Sequence, residues 1–199
     1  MPGCGLRPRV KLKVRVGLKM IWPTCVMFET GATCTWWSYP TAISLEPWFD
    51  SFFFDSYHLL LLEGLACGRD TEIAGIAGKV VKEVRYHLRH SSNWVIRLGD
   101  GTEESHARMQ QALDDCAPCV PELFEADQIY LDLESLSIVP EIHLLKSEWE
   151  REVSGVLAEA TLQMPEILSA HTGGRQGLHS EYLGYILAEM QFLQRAYPG

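Results

Sequence analysis

The sequence predicts an all-α protein, a bundle of amphipathic helices, and three observations carry that prediction. Apolar residues recur at steps of three and four over most of the chain after Phe53. Good helix caps precede those stripes, as Asp70 and Thr102 do, and Gly or Pro follows them. The connections between stripes are short, as in bundles of packed helices. No internal repeat is visible.

The first element, Phe53 to Cys67, is apolar on most sides and stops at Gly68, so it is expected to be the tail of a buried helix. Asp70 caps the next, with Glu72 in its first turn. Its expected core face is Ile73, Ile76, Val80, Val84, His87, Ser91, Trp94 and Leu98, and it ends at Gly99-Asp100-Gly101. Lys79, Lys82, Arg85 and Arg89 lie off that line and are expected to face solvent or a partner. Thr102 starts a third helix through Met109 and Leu113, broken by Pro118 and Pro121. Residues 127–142 are mixed, with an extended segment or a loop of short turns expected for Asp127 to Val139. A fourth helix is expected from about Leu144 to Leu162, with Trp149, Val153, Val156 and Ala160 on its apolar side and Pro165 beyond its end. After the loop His171 to Gly177, Ser180 is expected to cap a last helix with Leu183, Ile186, Leu187, Met190 and Leu193 as its stripe.

Residues 1–52 follow different rules. They hold six of the 17 Lys and Arg, four of the six Trp and three of the six Cys, but none of the seven His, and neither period persists there. The charge is +3 over residues 1–52 and −12 over residues 53–199. A body this acidic lacks the electrostatic footprint of a nucleic-acid binder and is repelled by anionic membranes. Six irregularly spaced cysteines make no disulfide framework, and the Leu59–Leu62 run is far short of a membrane span, so a cytoplasmic protein is expected.

Two blocks are specific enough to carry a resemblance: KEVRYHLRHSSNWVIRLGDGTEESHARMQQAL (Lys82 to Leu113) and HTGGRQGLHSEYLGYILAEMQFLQRAYPG (His171 to Gly199). Both resemble the structural subunit of the phenylacetyl-coenzyme A epoxidase, the multicomponent monooxygenase of bacterial phenylacetate degradation. The resemblance extends from about Phe53 to the end. It implies a ferritin-like helical bundle, incomplete here at its N-terminus, because the family has further helices ahead of Phe53. Residues 1–52 are read as out of frame. Shifting the codon register forces Asp from Met20-Ile21, Ala from Trp22-Pro23, and Val from each of Met27-Phe28, Trp36-Trp37 and Trp48-Phe49. With permitted codons elsewhere, the shifted string resembles the family's missing segment and joins the sequence at the Phe52-Phe53-Phe54 run. The division expected is therefore a non-native segment over 1–52 and a ferritin-like domain over 53–199.

Ferritin-like bundles hold two irons with a Glu on each of two helices and a Glu-x-x-His pair on each of two others. Asp55 and His58 have that spacing with a shorter acid, and Glu83 and His87 lie four apart with His90 beyond. Glu103 and His106 share the spacing but sit in a first turn, where acids suit the helix dipole. No two such pairs fall on separate long helices. The resemblance implies the same: a subunit that keeps the fold without the iron ligands, and therefore no cofactor in this chain. Its partner is then the catalytic di-iron subunit, which inserts one oxygen atom of O₂ into the ring of phenylacetyl-CoA with electrons from a reductase. Glu83 and His87 are accordingly expected as a buried hydrogen-bonded pair and His90 as partner-facing. Trp94, Gly173, Gly174, Arg175, His179, Glu181 and Glu189 are expected in structural or partner-facing roles. The alternative is an independent iron oxidase using Asp55, His58, Glu83 and His87. Cys116-Ala117-Pro118-Cys119 ends a helix instead of opening one, so it lacks the setting of a redox dithiol.

Overall fold

A computed structural model describes residues 46–179 and 182–197, and every regular element among them is helical. They are α1 (Glu46–Ala66), α2 (Thr71–Gly99), α3 (Glu103–Cys116), α4 (Val120–Leu123), α5 (Gln128–Ser135), α6 (Ile142–Glu159), α7 (Tyr182–Met190) and α8 (Phe192–Ala196). Single 3₁₀ turns precede α4 at Ala117–Cys119 and occupy Gly174–Gln176. No described helix is long and apolar enough to cross a membrane.

α1 is the central rod. Its apolar residues point in all directions because it packs against α2, α3, α4 and α6. The larger core cluster gathers Phe49, Phe52 and Phe53 of α1 with Val95, Met109, Leu113, Trp149 and Leu157. A smaller one joins Leu59 and Leu62 to Ala77, Val81 and Val84 of α2. Trp149 fills the space between α1, α6 and Phe124, and its indole N–H donates to the Phe53 carbonyl at 3.0 Å, tying α6 to α1. The boundary expected between residues 52 and 53 falls inside α1, where Phe49 and Phe52 are fully buried. The expectation for residues 1–45 lies outside the described residues.

The caps form as read. Asp70 accepts the N–H groups of Glu72 and Ile73 at 3.0 and 3.1 Å. Thr102 and Ser105 make a reciprocal capping box, each side chain accepting the other's backbone N–H. The core face of α2 differs from expectation. The buried line is Ala77, Val81, Val84, Ser91, Val95 and Gly99, whereas Ile73, Ile76 and Trp94 remain 36–42% exposed. The reason is steric. Gly99 meets the end of α6 so closely that a Cβ there would lie 2.5 Å from the Ala160 carbonyl oxygen. Small residues let the neighbours approach, and the bulkier line is left outside.

Residues 128–135 are helical, correcting the extended segment or loop expected there. Asp127 caps this helix by accepting the Tyr130 N–H at 2.7 Å, and the Tyr130 hydroxyl donates to the Pro140 carbonyl at 2.8 Å. The corner after it docks on the end of α1, where Gly64 makes room for the Pro140 ring. α6 begins at Ile142, slightly earlier than expected, and buries Leu145, Trp149, Val153 and Leu157. Ser180 lies outside the described residues, so its expected cap does too. The stripe of α7 and α8 stays open, with Ile186, Met190 and Leu193 at 36, 45 and 67% exposure.

Candidate functional site

Two regions collect the residues singled out from the sequence. The first is the seam between α1 and α2. Asp55 sits in it, partly buried, and accepts a hydrogen bond from the Ser91 hydroxyl at 3.2 Å. Burial raises its carboxyl to about 6, against smaller opposing effects from the Ser91 hydrogen bond and from His87. His58, one turn on, packs its ring on Phe54 with centroids 5.2 Å apart. Burial pushes its imidazole below the ordinary value, with His87 adding to the effect.

Glu83 and His87 do not form the buried hydrogen-bonded pair expected of them. Their side chains are each 53% exposed, and the nearest approach is 3.9 Å. They fall on the outer line of α2, one step round from the packed residues. His90 and Trp94 are exposed on the same side, and Trp48 of α1 reaches across to them, stacked on Trp94 at 5.3 Å and tilted against His90 at 5.9 Å. Among the described residues, no three His, Cys, Asp or Glu side chains converge on a point. Asp55 and Glu83 supply one acid from each of two helices, without the paired Glu-x-x-His set a di-iron centre needs, so these residues do not fit that centre.

The second region is a latch at the far end of α3. Glu122 of α4 is fully buried and accepts the Gly174 N–H at 2.8 Å, while Glu125 accepts the Gly173 N–H at 3.4 Å. Gly173 has a φ of 96°, a left-handed conformation open to glycine, and this aims successive N–H groups at the two acids. The His171 N–H donates to the Pro118 carbonyl at 2.9 Å, and Arg175 lies 3.9 Å from Asp127. Gly173, Gly174 and Arg175 therefore bind a neighbouring part of the same chain. His179 is half-buried beyond them, Glu189 is exposed on α7, and Glu181 lies outside the described residues. Glu122 and Trp48 were missed in the sequence. An acid inside the apolar run Cys119 to Phe124 was a signal for the first, and the compositional seam concealed the second.

Cys116, at the end of α3, and Cys119, in the turn after it, are buried, and the Cys116 thiol lies 3.5 Å from Asp50. A groove of about 460 Å³ lies between α3 and the segment after α6, lined by His106, Gln110, Asp114, Thr161 and Gln163. Its polar groups are largely used internally. Gln110 exchanges two hydrogen bonds with the Gln163 backbone, at 2.8 and 3.0 Å, and His106 Nδ1 lies 2.8 Å from the Gly99 carbonyl oxygen.

Comparison with known proteins gives this helical body a family. The C component of the 1,2-phenylacetyl-CoA epoxidase of Escherichia coli (strain K12) is 45% identical over 148 residues, which is 74% of this chain and 60% of that protein. The chain thus spans less than two thirds of the curated relative it matches. The profile of the phenylacetic acid catabolic proteins covers residues 47–199, from the first turn of α1 to the last residue. The packed helices α1 to α6, the latch, α7 and α8 all fall within that match, and the chain belongs to the phenylacetic acid catabolic protein family, with its ferritin-like helical fold.

Proposed function

We propose that the chain serves phenylacetate catabolism as a supporting subunit of a phenylacetyl-CoA epoxidase, holding a catalytic di-iron subunit and performing no oxygen chemistry itself. The observation that carries this is the 45% identity to the C component of the Escherichia coli enzyme. The donor set supports the division of labour. Asp55 is engaged by Ser91, and Glu83 and His87 stand half in solvent at 3.9 Å from each other. Four-ligand sites lose most of their affinity when ligands are missing or mobile. A cytoplasmic setting follows from the coenzyme A thioester and the reductase that such an enzyme uses.

The test is co-expression with the di-iron subunit of the same epoxidase. The expected result is co-purification, iron in the partner, and O₂-dependent consumption of phenylacetyl-CoA only when the partner is present. The chain alone should hold little iron. Stoichiometric iron in the isolated chain, lost in Glu83→Ala or His87→Ala, overturns the proposal in favour of an independent iron oxidase.

A further inference from the structure

α2 has a second face that the described residues leave uncovered. Ile76 and Trp94 are 42 and 36% exposed, and Trp48 extends this apolar strip by stacking on Trp94. Lys79 and Arg97 each follow one of these residues by three positions, which sets them next to Ile76 and Trp94 on the helix. α2 carries Lys79, Lys82, Arg85, Arg89 and Arg97 against Glu72 and Glu83 alone, whereas the rest of residues 53–199 holds 21 acids and six bases. A basic helix in so acidic a body is a segregation of charge.

The pairing of those cations sharpens the point. Arg108, Lys146, Arg151 and Arg175 on other elements each reach a carboxylate of the same chain. On α2, Arg85 pairs with Glu63 at 2.6 Å. Among the described residues, Lys79, Lys82, Arg89 and Arg97 form no salt bridge despite the surplus of acids. Lys79 and Arg97, without salt bridges beside the exposed Ile76 and Trp94, give this face the composition of an interface, apolar residues with a charged rim.

We infer that the outer face of α2 docks an acidic helical surface of a partner subunit, its apolar ridge lying on Ile76 and Trp94 and its carboxylates meeting Lys79 and Arg97. This rests on the subunit role proposed above and gives it a location and a charge sign. The complementary sign is set by Lys79 and Arg97, which form no salt bridge among the described residues. An acidic partner gains attraction here, whereas the remainder of the molecule repels it, so docking is directed to one face.

The test uses the full chain and the di-iron subunit of the same epoxidase, with affinity measured at low and high salt. Wild type should bind, and more weakly as salt rises. The double variant Lys79→Glu/Arg97→Glu should bind about tenfold more weakly and lose most of the salt dependence. Trp94→Ala should weaken binding with the salt dependence kept. Arg108→Glu, on α3, should leave affinity unchanged. Wild-type binding that neither the double variant nor Trp94→Ala weakens overturns the location while leaving the subunit role standing. No binding by wild type overturns both. Salt-sensitive self-association of the chain alone, abolished by the double variant, overturns the inference by assigning this face to a second copy.

Discussion

Asp55 and His58 lie one turn apart in the same seam, yet their burial pulls stability in opposite directions with pH. The Asp55 carboxyl rises from 3.8 to about 6, so the folded state holds its proton where the unfolded chain has released it. Stability from Asp55 is full below 3.8 and is lost as pH climbs through about 6. The depressed imidazole of His58 does the reverse, its contribution being lost as pH falls below the ordinary histidine value. Asp55→Asn, which keeps an acceptor for the Ser91 hydroxyl, is therefore expected to raise the melting temperature above pH 6. The difference from wild type should vanish towards pH 4. Thermal melts of both proteins over that range check it, and an unchanged difference would remove Asp55 from the explanation. At Trp149, replacement by Phe removes the hydrogen bond to Phe53 and part of a packed ring, a loss of about 2 kcal/mol in chemical denaturation.

At the scale of elements, glycines in one helix have opposite meanings. Gly99→Ala places a methyl 2.5 Å from the Ala160 carbonyl oxygen, so the ends of α2 and α6 must part, at about 1–3 kcal/mol. Gly75 and Gly78 meet nothing within 4 Å, and Gly→Ala at either should stabilise α2 by about 0.5–1 kcal/mol. Denaturation midpoints of the three variants settle the contrast. The order of helices was legible in the sequence because caps and breakers are local: Asp70, Thr102 and Pro165 act through their own neighbours. The rotation of α2 was not legible. Ile73, Ile76 and Trp94 outrank Ala77, Ser91 and Gly99 in hydrophobicity, but close approach selects small residues, and that requirement comes from α1 and α6. The same rotation carried Glu83 and His87 to the surface. α5 escaped notice because its eight residues are too few for a periodic pattern, and its stability comes from the Asp127 cap and Tyr130.

At the scale of the whole molecule, the described residues leave much apolar surface uncovered. Ile129, Leu168, Phe192 and Leu193 are 70, 89, 61 and 67% exposed, in addition to the outer line of α2. Each such side chain forgoes roughly 1.5–3 kcal/mol of burial, and several together rival the ~5–15 kcal/mol of a typical domain. The chain expressed alone is expected to bind an apolar dye and to aggregate on heating. With the proposed di-iron partner present, both should diminish. Clean cooperative unfolding of a solitary monomer would contradict this. The out-of-frame origin proposed for the start of the chain has its own test. Peptides from the native organism should fail to match residues 20–50 as written, and matching peptides would overturn it.

The Trp48–Trp94 stack has a spectroscopic consequence. Trp149 is 2% exposed and enclosed by Phe53 and Phe124, so its emission follows global unfolding. Trp94 stands on the open face of α2, where polar surroundings shift indole emission to the red. Covering that face should move emission to the blue at unchanged circular dichroism. The difference spectrum between wild type and Trp94→Phe would isolate that signal from the other indoles. A single chain thus carries one fluorophore that reads its own folding and another that reads its occupancy.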